Sequence, residues 1–163
     1  MLAHSFSTVL GPMTAVESDG RVTMLLYSGS PPEGAETGTS PLLIKTETQV
    51  REYLSGNRKG FDLPIDGGFE GFSEEVMDAM SRIPYGSTVT YGELAEMSGH
   101  PGAARAVGTV CRKNPLPLIY PCHRVVPSSG GIGNYSGAPG AKEYLLKTEG
   151  SFTEASVPLR RKQ

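Results

Sequence analysis

The chain has 163 residues, of which 37% are hydrophobic and 20% are charged, with a formal net charge of −2. This length allows one domain or two small ones with a sizeable core, and the composition is that of an ordinary globular protein. No apolar run reaches membrane-spanning length, and the N-terminus lacks the charged-then-apolar pattern of a signal peptide. We therefore expect no membrane segment, and we expect the two cysteines to be reduced thiols in an intracellular setting.

The first part of the chain is predicted to have an α/β structure. Residues 5–28 have the pattern of a β-hairpin or a β-meander, because the pair Asp19-Gly20 suits the positive φ angles of a tight turn and β-rich residues follow it. After a loop rich in Gly, Pro and Ser, apolar residues recur at helical spacing over residues 43–54. A second glycine-rich stretch then predicts a boundary between domains of residues 1–68 and 69–163.

The second part of the chain is predicted to be mainly helical. Its first helix follows Ser73, which we expect to be the N-cap, and apolar residues line one face of that helix. Thr90 and Glu93 have the spacing of a capping box that begins a short second helix. A tight turn leads to another helix over residues 103–113, so that the pair has the pattern of a helix-turn-helix. A last helix is predicted over residues 140–147.

The region around the helix-turn-helix has an unusual charge distribution. Residues 97–142 contain no Asp or Glu but five Lys or Arg residues. The second helix of the pair is rich in small residues, including Gly108, which costs about 1 kcal/mol relative to Ala in a helix interior. Arg105 and Arg112, seven residues apart, lie on the same side of that helix. These features favour a polyanionic partner such as DNA, contacted with little dependence on sequence.

The segment Pro121-Cys122-His123-Arg124-Val125 places a thiol beside an imidazole and a guanidinium. Cys122 could be a buried structural cysteine, a metal ligand or a nucleophile. The spacing between Cys111 and Cys122 matches no common zinc pattern, which argues against a metal ligand. A nucleophilic thiol needs a lowered pKa, and we expect Arg124 and a partner histidine to provide it.

The conformation of Cys122 and His123 determines how a proton could leave the thiol. In an extended segment successive side chains point to opposite faces, so a water molecule would have to link the sulfur to the neighbouring imidazole. The imidazole also needs a carboxylate that orients it and stabilises its cation. Glu96, Glu143 and Glu149 are the nearest acidic residues, and their spacing alone does not choose among them.

The segment around Cys122 resembles the signature of the O6-alkylguanine-DNA alkyltransferases, also called methylated-DNA–protein-cysteine methyltransferases. The resemblance is strong over residues 70–150, where further motifs follow in the order of that family, whereas the N-terminal third matches loosely. These motifs are Ile83-Pro84-Tyr85-Gly86, Tyr91-Gly92-Glu93-Leu94-Ala95, Ala103-Ala104-Arg105-Ala106-Val107-Gly108, Asn114-Pro115, Gly133-Asn134-Tyr135-Ser136-Gly137 and Lys142-Glu143-Tyr144-Leu145-Leu146. Met77 stands about where many members have a tryptophan, a departure that concerns packing.

The resemblance implies both a fold and a reaction. The implied fold is a ribonuclease-H-like α/β domain followed by a mainly α domain with a winged-helix-like helix-turn-helix. The implied reaction is direct-reversal DNA repair, in which an alkylated guanine is flipped out of the duplex. Its alkyl group then moves irreversibly to Cys122, so that one turnover consumes the protein, and no cofactor is needed.

The resemblance and the charge pattern also predict the residues of the site. The predicted catalytic residues are Tyr91, Asn114, Cys122, His123 and Glu149. The predicted substrate- and DNA-binding residues are Ala104, Arg105, Arg112, Pro117, Arg124, Val125, Tyr135 and Ser136. The resemblance implies that Glu149 is the last group of a proton relay that runs from the thiol through His123. It also implies that Arg105 takes the place of the extruded base in the stack, and that Pro117 and Tyr135 form walls of the alkyl pocket.

The expected partner is double-stranded DNA carrying O6-alkylguanine, bound by a monomer through the minor groove, wherever the genome is located in the cell. The N-terminal part has no Cys and only His4, so that no metal is expected there. Two other functions remain open. One is a DNA-lesion-binding or regulatory module of the same fold that does not transfer the alkyl group, and the other is a thiol hydrolase.

Overall fold

The computed structural model describes residues 1–135 and 137–151. The contacts within the chain divide it into two compact units, the first from Met1 to Gly68 and the second from Phe69 onward. In the first, four strands and one helix follow one another as β1 (Leu2–Thr8), β2 (Gly11–Ser18), β3 (Arg21–Leu26), β4 (Glu36–Thr37) and α1 (Pro41–Leu54). The described part of the second unit contains α2 (Gly71–Met80), β5 (Val89–Thr90), α3 (Tyr91–Met97), α4 (Ala104–Arg112), β6 (Val125–Val126) and α5 (Ala141–Thr148).

The first unit is a mixed sheet with one helix packed against it. The strand order is β3-β2-β1-β4, in which β1 pairs antiparallel with β2 and parallel with β4. The predicted turn between β2 and β3 is confirmed, since both Asp19 and Gly20 have positive φ, at 51° and 75°. The predicted helix is also confirmed as α1, which begins at Pro41 because the Ser40 side chain accepts a hydrogen bond from the Leu43 N–H.

The second unit is mainly helical, as predicted. Its first helix, α2, begins earlier than expected, with Glu70 at the N-cap position, so that the assignment of Ser73 as the N-cap is wrong. Ser73 lies in the first turn, where its Oγ accepts a hydrogen bond from the Glu70 N–H at 3.3 Å. The capping box that begins α3 is confirmed, because the Thr90 N–H donates to Glu93 Oε1 and the Glu93 N–H to Thr90 Oγ1.

The core of the second unit lies among α2, α3 and α4. Its buried members are mainly apolar and include Val76, Met77, Leu94, Val107, Cys111, Cys122 and Val125. Met77 is only 1% exposed, so that the position where many family members carry tryptophan is a core position here. Both cysteines are free thiols. Within residues 1–135 and 137–151, no helix has the length and apolar character that a membrane span requires.

A short parallel pairing connects the helix-turn-helix to the segment around Cys122. Strand β5 ends at Thr90, directly before α3, and it pairs with β6, which begins at Val125. The register joins Val89 to Val125 and Thr90 to Val126. This pairing brings the N-terminus of α3 beside the residues that follow Cys122, although more than 30 residues separate them in the sequence.

Candidate active site

Cys122 lies in a single turn of 3-10 helix that spans Cys122–Arg124. The segment is therefore not extended, because the Arg124 N–H bonds back to the Pro121 carbonyl at 2.9 Å. Consecutive side chains of such a turn point about 120° apart around its axis, since it has three residues per turn. The thiol itself is 8% exposed and belongs to the core of the second unit.

Asn114, which follows α4, holds the thiol by a hydrogen bond. Its Nδ2 donates to Cys122 Sγ at 3.3 Å and to the Tyr120 carbonyl at 3.0 Å, while its Oδ1 accepts from the Leu116 N–H at 2.9 Å. One amide side chain thus links the end of α4, the loop after it and the sulfur. Asn114, one of the predicted catalytic residues, is thus in direct contact with Cys122.

Burial raises the pKa of the Cys122 thiol, and the hydrogen bond from Asn114 and the charge of Lys142 oppose this effect without overcoming it. The expectation that Arg124 and a histidine lower this pKa is wrong for the resting protein. The proximity of Arg124 in the sequence suggested a basic environment for the thiol, but its guanidinium is bonded to Glu149. The resting group is therefore a protonated thiol, which needs a base before it can act as a nucleophile.

His123 and Glu149 form a fully buried pair. His123 Nε2 lies 2.6 Å from Glu149 Oε2, and both side chains are 0% exposed. Burial alone would raise the pKa of Glu149, but the hydrogen bonds from His123 and Arg124 and the positive charge of Arg124 lower it to about 2. Because an ionised carboxylate only accepts hydrogen bonds, Nε2 carries the imidazole proton and Nδ1 carries the lone pair.

Burial also lowers the pKa of His123, and the charges of Arg124 and Lys142 act in the same direction, whereas Glu149 opposes them. The imidazole is therefore neutral at rest and can accept a proton. Of the three acidic residues that spacing left open, Glu149 is the partner of the imidazole, while Glu96 is exposed on α3. Glu149 occupies this place because it directly follows α5, which packs against the 3-10 turn.

Arg124, which was predicted to bind substrate and DNA, is directed into the protein. It is 6% exposed, and its Nε donates to Glu149 Oε1 at 2.8 Å. Its Nη1 donates to the carbonyl of Ile83 at 2.7 Å. Its partner Glu149 lies 25 residues further along the chain, so that the segment around Arg124 gave no sign of this contact.

Lys142, which was not among the predicted site residues, is only 2% exposed. Its Nζ donates to the carbonyl of Val125 at 2.7 Å and to that of Asn134 at 3.4 Å. Burial lowers the pKa of this amine to about 8, and the nearby thiols oppose the shift. The sequence did contain a signal for its burial, because residues three and four positions apart lie on the same face of a helix. Lys142 therefore shares a face with the buried Leu145 and Leu146.

An open cleft of about 990 Å³ lies in front of α4. Its lining includes five predicted residues, namely Tyr91, Ala104, Arg105, Arg112 and Tyr135, together with Gly108 and Asn134. Burial raises the pKa of Tyr91, and the two thiols add to this effect. The phenol of Tyr91 is thus both a wall of the cleft and an electrostatic neighbour of Cys122.

The remaining predicted residues are placed as follows. Pro117 and Val125 are buried, and neither of them lines the cleft. Ser136 lies outside the described residues. The loop before it depends on glycine at position 133, where φ is 75° and a Cβ would lie 2.8 Å from Pro127 Cδ. In the part of the chain that the structure describes, no three His, Cys, Asp or Glu side chains are grouped to hold a metal ion.

The chain is similar to known proteins of one family. The model of the DNA-binding domain of 6-O-methylguanine DNA methyltransferase matches residues 71–151. The constitutive methylated-DNA–protein-cysteine methyltransferase of Bacillus subtilis is 34% identical over 150 residues, which cover 87% of this chain and 91% of the relative. The methylated-DNA–protein-cysteine methyltransferase of Mycobacterium bovis is 35% identical over 159 residues, which cover 96% of each chain.

The solved structures extend this similarity to the fold. The crystal structure of Mycobacterium tuberculosis OGT in complex with DNA matches with a TM-score of 0.84 at 33% identity, covering 93% of this chain and 94% of that one. Similarity over nearly the whole length includes both compact units and the segment around Cys122. The chain belongs to the methylated-DNA–protein-cysteine methyltransferase family, which confirms the resemblance found in its sequence.

Proposed function

We propose that this protein repairs O6-alkylguanine in DNA by moving the alkyl group to Cys122 in one irreversible step. The observation that carries the proposal is the buried hydrogen bond between the His123 imidazole and the Glu149 carboxylate, next in the chain to the buried thiol of Cys122. This arrangement supplies a nucleophile, a base and a group that stabilises the protonated base. The names of the relatives support the same reaction.

The reaction proceeds by displacement at the alkyl carbon. The Cys122 proton passes to His123 through a bridging water, and Glu149 stabilises the resulting imidazolium. The sulfur then forms a bond to the alkyl carbon while the bond from that carbon to O6 of guanine breaks. The guanine leaves with the electron pair of the broken bond and takes up a proton, and Tyr91 is placed to assist at guanine N3. The thioether at Cys122 has no route back to a thiol, so that each molecule acts once.

The burial of Cys122 supports base flipping as part of this reaction. A thiol that is 8% exposed cannot reach a base that is stacked within a duplex. The base must therefore leave the stack and enter the protein, where Pro117 and Tyr135 form the walls of the alkyl pocket. Backbone groups of Val125 and Ser136 recognise the edge of the base. The hydrogen bond from Lys142 to the Val125 carbonyl orients one of these groups.

The second helix of the helix-turn-helix, α4, contacts the minor groove of the DNA. Its small residues, among them Ala104 and Gly108, allow the helix backbone to approach the groove, and this contact reads little sequence. Arg105 fills the space that the extruded base leaves in the stack, and Arg112 contributes positive charge. The exposure of both arginines on one helix, with Tyr91 at the same cleft, supports this assignment.

The finer features of the fold follow the same proposal. The antiparallel order β3-β2-β1 with β4 parallel to β1 supports a ribonuclease-H-like first unit. The pairing of β5 with β6 beside α3 and α4 supports a winged-helix-like second unit. The protein acts as a monomer at the site of the lesion in the genome, without a cofactor.

The decisive experiment measures the intact mass of the protein after mixing with a duplex that contains O6-methylguanine. We expect an increase equal to one methyl group replacing one hydrogen, located at Cys122 by peptide mapping. The Cys122→Ala variant should show no increase, whereas Cys111→Ala, which removes the other buried thiol, should be modified like the wild type. A wild type that binds the duplex without any adduct would instead indicate a lesion-binding module. Regeneration of the free thiol over many turnovers would indicate a hydrolase.

A further inference from the structure

We propose that Arg124 is a positioning residue for alkyl transfer, which acts by holding Glu149 so that His123 remains neutral and oriented to receive the thiol proton. This inference rests on the proposed function, because it concerns the same proton transfer. It gives a role to a residue that its sequence context associated with DNA. It also explains why a cation is buried directly beside the proposed base.

The contacts that Arg124 makes with Ile83, Tyr85 and Glu149 are directed into the protein. Its Nε donates to Glu149 Oε1 at 2.8 Å, and its Nη2 lies 3.3 Å from Glu149 Oε2. Its Nη1 is bonded to the Ile83 carbonyl, just beyond the end of α2. Its guanidinium carbon lies 5.4 Å from the centroid of the Tyr85 ring, and the Tyr85 hydroxyl reaches the carbonyl of Thr148 at the end of α5. The guanidinium thus joins the end of α2 to the carboxylate that follows α5.

Glu149 is therefore held from two directions by groups that are adjacent in the sequence. Its Oε2 receives His123 Nε2 at 2.6 Å, while both of its oxygens face the Arg124 guanidinium. A bidentate contact with a guanidinium fixes the plane of a carboxylate as well as its position. Because the carboxylate plane is fixed, the imidazole that donates to it is also fixed, and its other nitrogen keeps a constant direction.

The charges of the site make Arg124 more than a structural tether. With Glu149 alone, a buried imidazole would gain a proton readily, because the carboxylate would compensate its positive charge. A protonated imidazole at rest could not accept the proton of Cys122. The positive charge of Arg124 already compensates Glu149, so that protonation of His123 creates an uncompensated charge in a buried place.

The other ionisable groups around His123 act in known directions. Lys142 on α5 adds positive charge, the resting Cys122 thiol is neutral, and the phenol of Tyr85 is protonated because burial and Glu149 raise its pKa. Glu149 is thus the group that opposes burial and favours the imidazolium. The opposing charges of Glu149 and Arg124 therefore set the proton affinity of His123, and these two side chains are in direct contact.

The test is the dependence of the transfer rate on pH, measured with the free base O6-benzylguanine so that DNA binding does not contribute. For Arg124→Met we expect the acidic limb of the rate–pH profile to move to higher pH, by about one pH unit or more. The rate below that limb should therefore fall about tenfold and recover at higher pH. Arg124→Lys, which keeps the charge but loses the bidentate contact, should show a smaller shift. Glu149→Gln should move the limb in the opposite direction.

Two outcomes would overturn the inference. One is an acidic limb that does not move in Arg124→Met, and the other is a rate loss of equal size at every pH, which is the result of a purely structural role. If Arg124→Met does not fold, the double variant Arg124→Met/Glu149→Gln replaces it, since that variant leaves no unpaired buried charge. Its limb should lie above that of Glu149→Gln alone, and coincident limbs would contradict a role for the charge of Arg124.

The wild-type protein separates this inference from the proposed function. If the wild type forms no adduct with O6-benzylguanine or with the methylated duplex, the proposed function fails, and the role of Arg124 fails with it. If the wild type forms the adduct at Cys122 while the Arg124 variants keep its pH profile, the role of Arg124 alone fails. The two results are distinguishable in a single set of measurements.

Discussion

Replacing Glu149 by Gln should change how the stability of the protein depends on pH. The side chain is completely buried, and its pKa of about 2 compares with an ordinary value of 4.5. A group with a depressed pKa in the folded state stabilises that state at pH above 4.5, and the stabilisation is lost as the pH falls toward 2. The difference between these two pKa values corresponds to about 3 kcal/mol, because each tenfold change in proton affinity is worth about 1.4 kcal/mol.

The substitution also has a cost that is independent of this titration. The Glu149→Gln variant would remove the carboxylate to which the buried Arg124 guanidinium is bonded, and breaking a buried ion pair in this way destabilises a protein by about 3 to 5 kcal/mol. At about pH 6 the variant should therefore be the less stable protein. As the pH falls, the wild type loses the contribution of its carboxylate while the variant has none to lose. The difference between the two free energies of unfolding should accordingly narrow by about 3 kcal/mol between about pH 5 and pH 2.

Denaturant unfolding monitored by far-ultraviolet circular dichroism at several pH values measures this difference. Glu96→Gln is the matched control, because Glu96 is exposed on α3 and its replacement should leave the pH dependence of the wild type unchanged. His123 adds a loss of its own that begins at higher pH, since its pKa is lowered in the folded protein. A difference between wild type and Glu149→Gln that stays constant from about pH 6 to pH 2 would refute the ionised, buried carboxylate.

Two further predictions concern α4. Arg105→Ala should slow transfer from duplex DNA much more than transfer from free O6-benzylguanine, and equal losses would contradict its place in the base stack. Lys113→Ala is the control, because Lys113 is an exposed cation that does not line the cleft. Gly108→Ala should raise stability by up to about 1 kcal/mol in thermal unfolding, because a Cβ there would meet its neighbours at ordinary distances of 3.7 to 3.9 Å. The same variant should bind duplex DNA more weakly in a titration, and unchanged affinity would show that the glycine does not face the groove.

The features that the sequence predicted correctly are local. The Asp19-Gly20 turn is a property of two adjacent residues, because few residues accept positive φ. The capping box of α3 depends on Thr90 and Glu93, which are three positions apart and meet whenever a helix begins there. The segment around Cys122 is similarly continuous, so that its resemblance to a family could be read without a structure. Such features need only neighbours along the chain.

The features that the sequence did not predict depend on residues that are distant along the chain. The partner of Arg124 is Glu149, which lies 25 residues away, so that the segment alone offered a cation and no carboxylate. The environment of Lys142 is set by the carbonyls of Val125 and Asn134. The N-terminal limit of α2 was misplaced because the Glu70–Ser73 contact competes with a simple N-cap at Ser73.

The sequence by itself determined that a thiol and an imidazole are neighbours in a basic segment that follows the helix-turn-helix along the chain. It also indicated the family. The tertiary structure decided the charge states of these groups. Burial raises the pKa of Cys122 and lowers that of His123, against the direction that the neighbouring cations suggested for the thiol. The reason is physical, since the desolvation of a charge depends on all the atoms packed around it, and packing is a property of the folded chain.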